Sequence, residues 1–165
     1  MKIIRGILVA AFACGPLCAK AAERQIGGWR VSVEPDRFAK HAKGAPPPAR
    51  VIVMTLQRGN SLAIRCIENR LSIVLVDAER DRYTKGEEVR YAFQAGRGDI
   101  VRGFGTALDG SSVELIVRGG MVSEMTSAPD AAFRINSGGV EFERTFSLKG
   151  AKQAFAPLDE ECVLD

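Results

Sequence analysis

The stretch Leu62-Ala63-Ile64-Arg65-Cys66-Ile67-Glu68-Asn69-Arg70-Leu71-Ser72-Ile73-Val74-Leu75-Val76 constrains this chain more than any other. Its two apolar runs are separated by the polar turn Glu68-Asn69-Arg70. Side chains alternate across a strand, so Leu62, Ile64 and Cys66 share one face of the first run. Leu71, Ile73 and Leu75 form the matching inner row of the second. A β-hairpin is expected, with a cysteine facing inward.

The partner of that cysteine follows from the N-terminus. Lys2 and Arg5 form a positive region, Ile7 to Ala13 a short apolar core, and small residues follow at Leu17-Cys18-Ala19 or Ala19-Lys20-Ala21. This is the pattern of a secretory signal peptide over residues 1–21. It falls short of the roughly 20 apolar residues of a membrane span. Neither Ala11-Phe12-Ala13 before Cys14 nor Gly15-Pro16-Leu17 before Cys18 fits a lipid-attachment signal, so ordinary cleavage and loss of both cysteines is the expectation. Cys66 and Cys162 then remain in a chain sent to an oxidising, periplasmic compartment. An even count there favours a Cys66–Cys162 disulfide; two buried free thiols are the alternative.

Cleavage also changes the charge argument. The 23 basic residues fall to 20, matching the 20 acidic ones. The basic isoelectric point belongs mainly to the leader, and supports neither nucleic acid nor an anionic membrane as partner.

Residues 22–49 read as a flexible leader (Ala22 to Ile26), a half-buried strand and a Pro-rich loop. In Gly28-Trp29-Arg30-Val31-Ser32-Val33-Glu34, Trp29, Val31 and Val33 alternate with polar residues, and Trp29 is the expected core anchor. Gly44-Ala45-Pro46-Pro47-Pro48 blocks helix and ladder bonds. Residues 50–165 read as a β-rich core that forms a single domain with the strand at 27–34. Arg50 to Gln57 is an apolar strand expected to be covered on both faces. Val89-Arg90-Tyr91-Ala92-Phe93 alternates cleanly. Ile100 to Leu108 is a strand whose Gly103 and Gly105 suggest a bulge or close backbone packing. Ser111-Ser112-Val113-Glu114 has capping-box spacing and predicts a short helix over Ser112 to Arg118, with a strand through Val113–Val117 as competitor. Ala131 to Asn136 and Val140 to Leu148 form a hairpin around Ser137-Gly138-Gly139. Gly150 to Cys162 turns to helical spacing, with a break expected at Pro157. The expected fold is mainly β: an antiparallel sandwich or barrel-like sheet with a short helix and a C-terminal helix laid across it.

Little in the chain points to chemistry. His41, the single histidine, lies between lysines in the Pro-rich loop, and a solvated loop residue explains it. No His/Cys cluster has zinc spacing. Asp77-Ala78-Glu79-Arg80-Asp81 places carboxylates at alternate positions, but arginines interrupt it and the glycine and final glutamate of a calcium loop are missing. Gly96-Arg97-Gly98-Asp99 contains the Arg-Gly-Asp tripeptide; a β-turn explains its glycines and aspartate. No catalytic, cofactor-binding or metal-ligating residue is assigned, and the chain is expected not to be an enzyme.

The run Arg65-Cys66-Ile67-Glu68-Asn69, the apolar strand after it, Val89-Arg90-Tyr91-Ala92-Phe93, the segment Ser112 to Arg118, and the ending Phe146-Ser147-Leu148-Lys149-Gly150 to Ala156-Pro157-Leu158-Asp159-Glu160-Glu161-Cys162 carry a resemblance. Across roughly Val51 to Cys162 the chain resembles the VasI/TagO-like accessory proteins of type VI secretion. Gly103-Phe104-Gly105 stands where that pattern carries a tryptophan. The resemblance implies an exported β-rich accessory protein tied to a secretion machine. Gly28-Trp29-Arg30-Val31 is similar, more weakly, to the invasion-associated locus B family, with Val33 in place of its usual cysteine. The expected partner is another cell-envelope or secretion-machine protein, with no nucleic acid and no transmembrane segment, and the chain a monomer or weak dimer. An inhibitor of a cell-wall hydrolase and a virulence-linked exported protein are the alternatives.

Overall fold

The computed structural model describes residues 22–35, 48–78 and 81–162. The segment 1–21 read as a signal peptide, His41 and nearly all of the Pro-rich loop lie outside them. Ten strands form one antiparallel sheet: β1 (Ala22–Ile26), β2 (Trp29–Pro35), β3 (Ala49–Gln57), β4 (Asn60–Ile67), β5 (Arg70–Asp77), β6 (Glu88–Ala95), β7 (Val101–Ala107), β8 (Ser112–Ile116), β9 (Asp130–Ser137) and β10 (Val140–Ser147). Three short helices complete the fold: α1 (Met121–Met125), α2 (Ala151–Ala154) and α3 (Ala156–Glu161).

The strands lie in the order β1-β2-β3-β4-β5-β8-β7-β6-β9-β10. The first five form a meander. The chain then crosses over and returns as β6, β7 and β8, placing β8 against β5. The crossover is fixed by backbone: the Arg82 and Tyr83 amides both donate to the Gly110 carbonyl, the Gly86 amide donates to the Ala107 carbonyl, and the Ala107 amide donates to the Glu87 carbonyl.

The central hairpin has the register expected of it. Leu62 faces Leu75, Ile64 faces Ile73 and Cys66 faces Leu71. Its turn is tighter than three residues: Glu68 and Asn69 alone make it, with φ of 51° and 58°. Arg58-Gly59 and Gly138-Gly139 repeat that left-handed pair, the turn whose twist suits two strands joined by two residues.

Four expectations are corrected. Ala22–Ile26 is not a flexible leader; it pairs along its whole length with β2, Ala22 opposite Val33 and Ile26 opposite Trp29. Ser112–Ile116 is a strand, not a helix, because the slot between β5 and β7 supplies a ladder on each side and buries Val113 and Leu115. That tertiary demand outweighs a local capping signal. β3 is fully buried on one face only: Val51, Val53 and Thr55 are buried, while on the other face Ile52 and Met54 are half-buried and Leu56 is exposed. The terminal helix breaks at Phe155 rather than Pro157, and Pro157 lies in the first turn of α3, where its missing N–H costs nothing.

Phe155, at the break, keeps a right-handed backbone and buries its side chain in the core. Its ring meets Trp29 edge-on with centroids 5.0 Å apart. α3 packs on β3 and β4, and carries Cys162 to the sulfur of Cys66 at disulfide distance, with Cα atoms 6.0 Å apart.

The sheet curls without closing. Between β10 and the β3–β4 turn, side chains replace the missing ladder. Gln57 donates from Nε2 to the Ser147 carbonyl and accepts the Ser147 amide on Oε1, both at 2.9 Å. One glutamine thus imitates an adjoining strand. Trp29 donates its indole N–H to the Lys149 carbonyl beside this seam.

Candidate functional site

Two clusters of polar side chains stand out, one facing inward and one outward. The inward one ends the seam. Asp77 closes β5 opposite Asn60 and is only 4% exposed. Arg144 comes from β10 on the inner-facing row, paired with the buried Phe133. Its three guanidinium nitrogens are all committed: Nη2 to Asp77 Oδ2, Nε to Asn60 Oδ1 and Nη1 to the Glu143 carbonyl, each at 2.9 Å. Arg82 approaches the same Asp77 oxygen at 3.5 Å. Both guanidinium groups flank Phe142, 5.2 Å and 5.3 Å from its ring centre. Burial pushes the neighbouring Tyr83 phenol up to about 12. A fork with each nitrogen engaged and a carboxylate held between two arginines form a clamp. Its work is to fasten β10 across the open seam to β4 and β5.

The calcium-like run therefore resolves into structure. Asp77 turns inward to this clamp, Asp81 is exposed, and Glu79 and Arg80 lie outside the described residues. No group of three His, Cys, Asp or Glu side chains among the described residues is placed to hold a metal ion. Arg97 and Asp99 are exposed in the β6–β7 turn.

The outward cluster lies on the face of β5, β8, β7 and β6. Ladder register puts Ser72 opposite Ile116, and Phe104 opposite Arg90. Gly105 opposite Leu115 sets Phe104 and Ile116 side by side on the next rung. Both are large, apolar and open to solvent, 41% and 60% exposed. Ile116 has the short Ser72 across from it, and Phe104 has the exposed Arg90. The inner face explains Gly103 and Gly105. A Cβ on Gly103 would sit 2.6 Å from Tyr91 Cζ, and one on Gly105 would collide with the Glu114 carbonyl. The close backbone packing expected from these glycines is what β7 shows.

Arginines surround the apolar pair. Arg90 is across from Phe104, Arg102 is two residues before it, Arg70 is two before Ser72, and Arg118 is two beyond Ile116. All four are exposed. None has a carboxylate within ion-pair distance among the described residues. Of the nearby acids, Glu114 binds Arg65, and Glu141 and Glu143 both bind Arg134; Glu88, two residues before Arg90 on the same face, is exposed and lies beyond ion-pair distance of these arginines. Those two glutamates hold the Arg134 guanidinium above its usual range, the Glu143 hydrogen bond first. Beside Arg102 the short Ala92 and Ala132 leave a dent of about 140 Å³, also lined by Ile100 and by the ion-paired Arg134 and Glu143.

Sequence reading missed this surface because its members come from four strands spread over some fifty residues. The available signal was the alternation itself, which puts Arg90, Arg102 and Phe104 on the face opposite the core. Comparison of the chain with family models, with curated proteins and with solved structures returns no match.

Proposed function

We propose that this chain is a non-enzymatic, exported accessory protein of the cell envelope, periplasmic in location, that works by binding another envelope protein through the outer face of β5 to β8. The observation that carries the reading is the exposed Phe104–Ile116 pair ringed by arginines with no ion-pair partner. Apolar residues at the centre and arginine at the rim are the composition of protein interfaces. A leader that reads as a signal peptide and a cysteine pair at disulfide distance support export. The resemblance to type VI secretion accessory proteins supports a secretion machine as the setting.

The test is site-specific photocrosslinking in cells, with the reactive group placed at Phe104 or Ile116 and, as control, at Lys152 on α2. A discrete adduct with one envelope protein from both sheet positions, absent from Lys152 and abolished by Phe104→Ser when the group is at Ile116, is expected. Adducts equal at all three positions, or none, overturn the reading. Fractionation that leaves the chain in the cytoplasm overturns the export half alone.

A further inference from the structure

We infer that the partner presents carboxylates to this face: the occupant is an acidic segment of a protein, with an apolar side chain beside its acids. The inference rests on the binding-face reading above and names the chemistry of what binds. Three observations carry it.

The first is charge. Arg70, Arg90 and Arg102 project from β5, β6 and β7, with Arg118 just beyond β8; against these four cations the face adds the single unengaged acid Glu88, two residues before Arg90, and no carboxylate among the described residues comes within ion-pair distance of any of them. Like charges brought together on a rigid sheet repel, and the arrangement is relieved by a partner of opposite sign.

The second is the choice of cation. Every one of the four is arginine, while the described lysines Lys85, Lys149 and Lys152 lie elsewhere. A guanidinium offers a planar fork that grips a carboxylate at two points and is more weakly hydrated than an ammonium, so it surrenders its water more readily at an interface.

The third is shape. Phe104 and Ile116 give a small apolar centre, and the dent over Ala92 and Ala132 has room for one aliphatic side chain with Arg102 at its edge. A protein segment fills a dent and meets arginines in the same stroke. A lipid surface would gain little from two apolar side chains on a flat sheet, since interfacial binding depends on a broad apolar face sinking below the headgroups. Single-stranded nucleic acid would want successive aromatic platforms, and Phe104 stands alone.

The experiment titrates the purified protein with a synthetic peptide of alternating glutamate and leucine, at low and at physiological salt. Parallel titrations use vesicles of phosphatidylglycerol and a thymidine oligonucleotide. Binding of the peptide that weakens with salt is expected, with amide shifts confined to β5–β8. Arg90→Gln with Arg102→Gln should weaken it about tenfold. The double lysine variant should recover only part of this, because an ammonium cannot make the two-point grip. Lys149→Gln with Lys152→Gln should leave it unchanged. Loss of affinity as large in the lysine-to-glutamine control, or tighter binding to vesicles or oligonucleotide than to peptide, overturns the inference. The two readings fail separately: a crosslinked partner that persists undiminished in Arg90→Gln/Arg102→Gln keeps the face and removes the acidic occupant, whereas loss of sheet-specific crosslinks removes the face itself.

Discussion

Tyr83 and Arg144 show how much a single side chain is worth when it sits where the sheet fails to close. The chain has two tyrosines, and burial raises both phenols, Tyr83 to about 12 and Tyr91 also upward. The folded protein therefore keeps its phenolic protons after an unfolded chain, with phenols near 10, has begun to lose them. Stability is fully present below about pH 10 and declines as pH rises from there toward about 12. Tyrosinate absorbance should rise at higher pH in native buffer than in concentrated urea, and coincident curves would contradict the burial of both rings. Arg144 serves a second demand, the charge of Asp77. Replacing it, Arg144→Met, leaves that buried carboxylate with one of its cations gone and Asn60 without its donor. A loss of about 2 kcal/mol is expected in urea unfolding, with Arg144→Lys recovering part.

Among the elements, β7 and β8 are the pair in which local preference and tertiary demand disagree most. β8 carries a helix-start signal at Ser111 to Glu114, yet runs as a strand because β5 and β7 each offer it a ladder. β7 holds its place through two glycines whose missing side chains admit Tyr91 and the β8 backbone. Gly105→Ala forces the two strands apart at the Glu114 carbonyl. It is expected to destabilise by about 2–3 kcal/mol, read as a lowered urea midpoint with faster amide exchange in β7 and β8. Gly86→Ala is the comparison: its φ of 84° strains an added side chain, but open space surrounds it. It should cost less and leave β7–β8 exchange unaltered. The terminal helix breaks where Pro157 has no N–H to continue the ladder; Phe155, at the break, packs edge-on against Trp29, and Pro157 lies in the first turn of the next helix.

At the scale of the whole molecule, ten strands would present two raw edges, and the protein manages one of them with side chains. Gln57 caps Ser147, and Asn60, Asp77 and Arg144 lace the two sides together. The Cys66–Cys162 pair ties the last helix over β3 and β4 across a separation of 96 residues. Both cysteines are buried. Thiol reagents should find neither sulfur in the native protein, and quantitation after unfolding without reductant should also find none. Cys162→Ser is expected to cost about 2–4 kcal/mol, near the lower side of what closing so long a loop supplies in the chain-entropy model. Two free thiols on unfolding would remove the covalent tie and leave the helix held by packing alone.

The sequence by itself determined which faces are apolar, and that was enough for most of the sheet. Alternation at Leu62–Cys66, Leu71–Leu75 and Val89–Phe93 specified strands and their inner rows, and Ser137-Gly138-Gly139 specified the last hairpin. Helical spacing after Gly150 specified the terminal segment, and the two cysteines left once a leader that reads as a signal peptide is set aside are the two whose sulfurs meet. These are local patterns, and a chain displays them without knowing its neighbours. Tertiary structure alone decided the rest. It made Ala22–Ile26 a strand because β2 had a free edge there, made β8 a strand despite its cap, and turned Asp77 inward because Arg144, 67 residues away, arrives to receive it. It also assembled the outer arginine face, whose members share nothing in sequence except pointing away from the core. Such features depend on which strands become neighbours, and strand order is set by the packing of the entire sheet rather than by any one segment of it.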